Sequence, residues 1–149
     1  MNTLFSESNN SKLALAPVAL TGGKTSEKIS MAQSHRLVVA VVMGAFAGNV
    51  DVSFKQYNGG VSADLVVANP LFTKADGETV FTKTAINSAA VSLTQFDAKS
   101  GIAYFEILSS DLTEGFSEVE VVLGDVGRIA SVLYIQSEPK YCPAYTVAI

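Results

Sequence analysis

Seven consecutive apolar residues, Leu37 to Met43, closed by Gly44, constrain this chain more than any other stretch. Successive side chains of an extended strand point to opposite faces, so a run with no polar position is apolar on both. Such a strand must be covered on both sides, which places it at the centre of the core. A second run, Ile129 to Ile135, is apolar on both faces apart from Ser131. Each run is an inner strand, or a strand whose outer face meets another subunit.

Around these runs the sequence alternates. Val50, Val52 and Phe54 share one face of 50–56, with Asp51, Ser53 and Lys55 on the other. Ala89, Val91 and Leu93 share a face, as do Ala103, Phe105 and Ile107. In 117–123 the valines point in and the glutamates out. Period-two alternation marks half-buried strands. Brief strands are predicted at 27–31 and 79–83, and Asp111 is placed to cap one helical turn before Gly115. Short connections pair 36–43 with 50–56, and 117–123 with 128–135, as two expected hairpins. Residues 57–78, opening on the turn Tyr57-Asn58-Gly59-Gly60, read as a long surface excursion. Helix-favouring Glu, Lys, Arg and Gln are scarce. The fold class is therefore all-β, an antiparallel β-sandwich or jelly-roll-like barrel with extended N- and C-terminal arms.

The 149 residues suffice for one domain. Residues 1–25 read as a flexible N-terminal arm, 26–136 as the β-sandwich and 137–149 as an extended C-terminal tail. In the first arm Pro17 interrupts Leu13, Leu15, Val18 and Leu20. Proline donates no ladder hydrogen bond, so this segment is an edge strand or an arm lying along its own sheet or a neighbour's. The tail carries Pro139, Tyr141, Pro143 and Tyr145 with no turn glycine. Rigid aromatics and prolines make contacts at low entropic cost, so these nine residues are the candidate partner contacts.

The charge pattern excludes several classes. Net charge is −4, and the only arginines are Arg36 and Arg128. Phosphate neutralisation needs clustered cations, so neither nucleic acid nor an anionic membrane surface is an expected partner. The longest apolar run is far short of the roughly 20 residues that span a bilayer. The first residues lack the basic and long apolar regions of a secretory signal. Charged residues are only 16%, against about 25% in a typical domain, which leaves surface for a partner to cover.

No catalytic pattern stands out. Cys142 is the only cysteine and reads as a small apolar filler, and His35, the only histidine, gives no metal-site spacing. Asp111, Glu114, Glu118, Glu120 and Asp125 are close in sequence but lack calcium-loop spacing. Gly22-Gly23-Lys24-Thr25 fails the phosphate-loop pattern because Val18 stands where its first glycine belongs. There is no G-x-S-x-G elbow. No cofactor, metal or catalytic residue is expected, and the chain is expected not to be an enzyme.

The layout resembles a family of small virion proteins encoded near the capsid genes of tailed bacteriophages. The resemblance runs over most of residues 13–145. It lies in Ala16-Pro17-Val18, in Ile29-Ser30-Met31, in the apolar strand ending Met43-Gly44, and in the strand with Asp51, Phe54 and Gln56. It continues through Tyr104-Phe105-Glu106-Ile107, Asp111-Leu112, Gly115-Phe116 and Lys140-Tyr141-Cys142-Pro143. The 57–78 loop and Cys142 depart from the family's pattern. The resemblance implies a non-enzymatic capsid decoration (cement) protein that binds the major capsid protein on the outside of the shell. It would be assembled in the host cytoplasm, with a homotrimer as the favoured unit. Its arms at 12–20 and 139–149 would bridge neighbouring capsid subunits. Another virion position, such as neck, tail or head fibre, fits the same layout. A carbohydrate-binding β-sandwich for host attachment is the alternative, with Tyr57, Phe72, Asp64 and Asp76 as candidates, and the lack of Trp speaks against it.

Overall fold

Leu37 to Met43 falls inside β4 (Ser34–Met43), at the middle of a six-stranded sheet. The computed structural model describes residues 9–139, except the side chain of Pro139. In chain order the other strands are β1 (Asn9–Ala19), β2 (Lys24–Thr25), β3 (Ile29–Ser30), β5 (Val50–Asn58) and β6 (Val61–Asp64). They continue with β7 (Leu71–Ala75), β8 (Thr82–Thr84), β9 (Ala90–Leu93), β10 (Gly101–Leu108), β11 (Glu118–Leu123) and β12 (Ile129–Pro139). The first sheet has the order β1-β12-β4-β10-β7-β8 and the second β2-β11-β5-β6. β3 extends the line of β2 along β11, and β9 extends the line of β6 along β5. All strand pairs in the two sheets are antiparallel.

The protein is an all-β sandwich. Successive strands cross from one sheet to the other except within β2–β3, β5–β6 and β7–β8, and the first described strand pairs with the last. The core lies between the sheets. Leu37, Val39 and Val41 of β4, Phe105 and Ile107 of β10, Val132 and Tyr134 of β12, and Val52, Phe54, Val119 and Val121 from the second sheet are all fully buried. Phe54 and Phe105 meet edge-on across the sandwich at 4.9 Å between ring centroids, an arrangement that adds attraction to their burial.

Neither expected hairpin forms. β4 lies between β12 and β10, whereas β5 belongs to the second sheet beside β11. Likewise β11 and β12 belong to different sheets. Alternation reveals which face of a strand is buried and not which strand lies at its edge. The connectors 44–49 and 124–128 are long enough to cross the roughly 10 Å between stacked sheets. Residues 57–78 are also corrected. Val61 at the tip is exposed, but Leu65, Val67, Leu71 and Ala75 are core, and the segment carries the chain from one sheet to the other. The N-terminal arm is a strand from Asn9 onward, paired with β12 as far as Ala19. Two 3-10 turns occur among the described residues, Thr94–Phe96 and Ser109–Asp111; Asp111 ends the second instead of starting a turn before Gly115, and its Oδ2 accepts from the Leu108 N–H at 2.8 Å.

Four crossings between the sheets, at 20–23, 44–49, 94–100 and 124–128, gather at one end of the sandwich, as the pairs Ala19↔Ile129, Ala130↔Met43 and Gly101↔Met43 require. Arg128 is fully buried among them. Its guanidinium donates to the carbonyls of Phe96 (2.6 Å), Gly48 (3.1 Å), Lys99 (3.2 Å) and Phe46, and its own carbonyl accepts from the Leu20 N–H at 2.8 Å. One side chain thus ties three crossings together and its backbone holds the fourth. Desolvation lowers its pKa, and nearby Asp97 opposes that.

Tyr134 is the largest buried hydroxyl-bearing side chain. Its O–H donates to the Glu27 carbonyl at 2.8 Å and lies 2.5 Å from Ser26 Oγ, which accepts from the Val121 N–H at 2.9 Å. Burial pushes its pKa up to about 12. The unfolded chain ionises this phenol near pH 10 while the folded protein keeps it neutral. Its stabilising contribution is therefore complete below pH 10 and lost as the pH rises towards 12, by on the order of 2–3 kcal/mol. Urea melts of the wild type and Tyr134→Phe from pH 8 to 11.5 test this. The wild type should lose stability more steeply, and parallel curves would contradict the assignment.

Candidate assembly surface

Residues directly opposed in an antiparallel ladder share a face, so the strand register maps the outside of each sheet. On the first sheet one outward row runs Leu13, Leu133, Ala40, Tyr104, Phe72. The row on one side is Ile135, Val38, Glu106, and that on the other is Ser131, Val42, Ile102, Lys74. Strand spacing makes this face on the order of 500 Å². It is mainly apolar, with Ser11, Ser131, Lys74, Lys83 and Glu106 as its polar positions. Leu13 is 56% exposed, Ile129 58%, Phe81 45% and Val42 43%, whereas Leu133, Tyr104 and Phe72 in the middle row are half-buried and Ala40 is buried. Phe81 stands 5.6 Å from the Tyr104 ring, with Lys74 Nζ 5.6 Å from the Phe81 ring. Val38, Phe72, Phe81, Tyr104 and Glu106 line an open cleft of about 460 Å³.

At one end the face is bounded by charge. Arg36 bonds Glu106 at 2.7 Å and Glu138 at 3.1 Å. The hydrogen bond to Glu106 raises the Arg36 pKa against the opposing effect of desolvation.

The outside of the second sheet has the opposite character. Asp51, Ser53, Lys55, Tyr57, Glu118 and Glu120 point outward there. The Tyr57 hydroxyl donates to Glu120 at 2.8 Å, and Lys28 Nζ sits 3.7 Å above the Tyr57 ring. That hydrogen bond, with desolvation and the carboxylate's charge, raises the Tyr57 pKa. This is a solvated face. The sandwich therefore presents one wet wall and one dry one, the dry one at the upper end of the roughly 300–600 Å² apolar patches that monomers carry.

The nine candidate contacts are divided by the structure. Leu13 lies on the dry face, and Pro17 is exposed at the register break of β1 between Leu15 and Val18. Leu15 packs against the core, and Val18, half-buried, lies opposite the inward Ala130. Leu20 is a correction: it is fully buried in the core, with no surface left for a partner. Pro139 is the last residue of β12, and Tyr141, Pro143 and Tyr145 lie outside the described residues, as does Cys142. The face itself supplies Val38, Val42, Phe72, Phe81, Ile102, Tyr104, Leu133 and Ile135. Their signal was the doubly apolar character of 37–43 and 129–135, together with the unused Ile102–Tyr104 side of β10.

The other candidates serve structure. Asp125 Oδ1 accepts from the Gly22 N–H at 2.7 Å, Glu120 takes the Tyr57 hydroxyl, and Asp111 closes its turn. Among the described residues no group of three His, Cys, Asp or Glu side chains could hold a metal ion. Tyr57 and Phe72 point from opposite walls of the sandwich. They cannot share a sugar site, which corrects the carbohydrate alternative built on them.

No protein-family model matches the chain, and no curated protein matches its sequence. Among solved structures it is similar to the SPBc2 prophage-derived protein YomS. The TM-score is 0.52 at 11% identity, over 87% of this chain and 93% of YomS. That likeness is one of fold. A family two carbohydrate esterase from Cellvibrio japonicus aligns with a TM-score of 0.27 at 12% identity, over 94% of this chain and 36% of the esterase. So low a score carries no argument about function.

Proposed function

We propose that this chain is a non-enzymatic structural protein of a tailed-bacteriophage particle, working by contact through the dry face of its first sheet. The observation that carries the reading is the contrast between the two walls: one lined by Asp51, Lys55, Glu118 and the hydrogen-bonded Tyr57–Glu120 pair, the other mainly apolar, with the Arg36–Glu106 ion pair at its end. The fold's likeness to a prophage-derived protein and the sequence's resemblance to small virion proteins support the phage setting. The specific role is decoration of the capsid exterior. The protein binds the major capsid protein as a homo-oligomer, a trimer being the favoured unit, and stabilises neighbouring shell subunits. Apolar area removed from water contributes about 25 cal/mol per Å², less the cost of ordering the partners. Many copies acting together raise the barrier to shell rupture.

Particles assembled with and without the protein test this. Those carrying it should rupture at a higher temperature, and copy counting by quantitative mass spectrometry should give hundreds per particle. Equal rupture temperatures overturn the decoration role, and a dozen copies or fewer move the protein to the neck, tail or head fibre.

A further inference from the structure

We infer that Asn58 is a site of spontaneous covalent modification, where the folded protein converts one asparagine to aspartate and isoaspartate. The inference is independent of the assembly reading. The reaction needs a free side-chain amide, an open backbone nitrogen on the next residue, and room for the chain to turn. Hydroxide takes the proton of the Gly59 N–H, and the nitrogen attacks Cγ of Asn58. A C–N bond forms, the Cγ–Nδ2 bond breaks, and the amide nitrogen leaves as ammonia with a proton from water. The resulting succinimide ring then takes up one water. Opening at Cγ gives aspartate, and opening at the Asn58 main-chain carbonyl gives isoaspartate. Nothing is oxidised or reduced.

The hairpin tip meets each requirement. Asn58 is the last residue of β5, opposite Val61, and Gly59-Gly60 is the two-residue loop between them. Gly59 has a left-handed φ of 58°, which its missing side chain makes easy. Residues from Asn58 to Ser62 are all exposed. Among the described residues neither the Asn58 amide nor the Gly59 N–H has a hydrogen-bond partner. A Cβ on Gly59 or Gly60 would meet nothing within 4 Å. Ring closure takes Asn58 out of its extended conformation, which opens only the outermost pair of the β5–β6 ladder.

Folding withholds one or more of these requirements from the other described asparagines. Asn69 precedes Pro70, whose nitrogen has no proton to lose, and its amide donates to the Glu106 carbonyl at 3.2 Å. The N–H after Asn87 belongs to Ser88 and donates to the Val67 carbonyl at 3.3 Å. Asn49 precedes Val50, a β-branched residue fully buried at the start of β5. Asn9 and Asn10 lie in the ladder opposite Ser137 and Gln136, and the Asn10 amide donates to Gln136 Oε1 at 3.0 Å. Either product at position 58 adds a negative charge beside Tyr57, whose ladder partner is Glu118. Isoaspartate also inserts a methylene into the backbone at the end of β5. The protein therefore records its age on the second sheet and leaves the dry wall unchanged.

Purified full-length protein, held folded at neutral and at mildly alkaline pH, tests this. Tryptic cleavage after Lys55 and Lys74 puts Asn58 and Asn69 in one peptide, and tandem mass spectrometry separates them. Asn58 should convert at least about tenfold faster than Asn10, Asn49, Asn69 or Asn87, faster still at the higher pH, with matching release of ammonia. In urea the gap should narrow as Asn87 and Asn49 lose their protection. An Asn58 that stays amidated in the folded protein but converts in urea overturns the inference, because the hairpin then locks the site. Equal conversion of Asn49 or Asn87 in the folded protein also overturns it. Asn58→Gln needs a larger ring and should abolish the acidic form seen on isoelectric focusing. An acidic form that accumulates at the wild-type rate in this variant places the reaction elsewhere and overturns the assignment.

Discussion

Arg128→Met should lower folding stability by about 4 kcal/mol, because the guanidinium's charged hydrogen bonds to one buried and three part-buried carbonyls are lost, at about 1.5–3 kcal/mol each, while the Phe46 and Phe96 carbonyls keep the N–H groups of Ala98 and Lys99. The lost charge recovers part of its own desolvation cost, which keeps the total below the sum of the four bonds. Domains of this kind have about 5–15 kcal/mol in hand. A urea midpoint lower by roughly 2 M is therefore expected. Arg128→Lys should recover little. One ammonium offers three donors from a single point and cannot reach carbonyls fanned across Phe46, Gly48, Phe96 and Lys99. Equilibrium urea melts of both variants check this. A Lys variant as stable as the wild type would show that charge alone, and not the fork of the guanidinium, holds the crossings.

A carboxylate on the dry wall should separate folding from assembly. Leu13→Asp and Val42→Asp sit at positions 56% and 43% exposed, so each should change the stability of the isolated domain by about 0.5 kcal/mol or less. Closing an interface over the new charge strands it without a partner, at a cost of about 3 kcal/mol or more. Binding to protein-free particles, read by co-sedimentation across a concentration series, should weaken by roughly 100-fold. Ser53→Asp on the wet wall should leave binding unchanged. If the wet-wall variant weakens binding and the dry-wall variants do not, the contact face has been placed on the wrong sheet.

The strands were largely legible, because burial on one face imposes alternation and alternation is local. Val50–Phe54, Val119–Leu123 and Ala103–Ile107 were read with the correct inward sides. Their neighbours were not legible. β1 pairs with β12, Asn9 opposite Ser137, and nothing local in either segment names the other. Both hairpins failed for this reason, since a short connector serves a tight turn or a sheet crossing equally well. Residues 57–78 misled because Leu65 and Val67 flank an exposed Val66 and are followed by Pro70, a short pattern masked by loop-forming neighbours. The role of Arg128 was invisible, because its partners are backbone carbonyls, which carry no residue identity. The dry wall was half legible. The doubly apolar runs announced a face in need of cover, but only the register could gather Leu13, Tyr104 and Phe72 into the same row.

The strand order also sets a timetable for the newborn chain. β4 is synthesised early, yet its two neighbours are β10 and β12. At about 5–20 residues per second, the ribosome needs roughly 5–20 s after β4 to deliver β12. Through that interval the most apolar strand of the protein has at most one edge paired. The sheet is completed only when the last strand arrives to slot between β1 and β4. Completion of the first sheet is thus postponed until β12 has been made, and a cell making many copies at once holds a matching number of unfinished sheets. Such intermediates are prone to aggregate, so the yield of this protein depends on synthesis rate and chaperone supply more than on the stability of the finished sandwich.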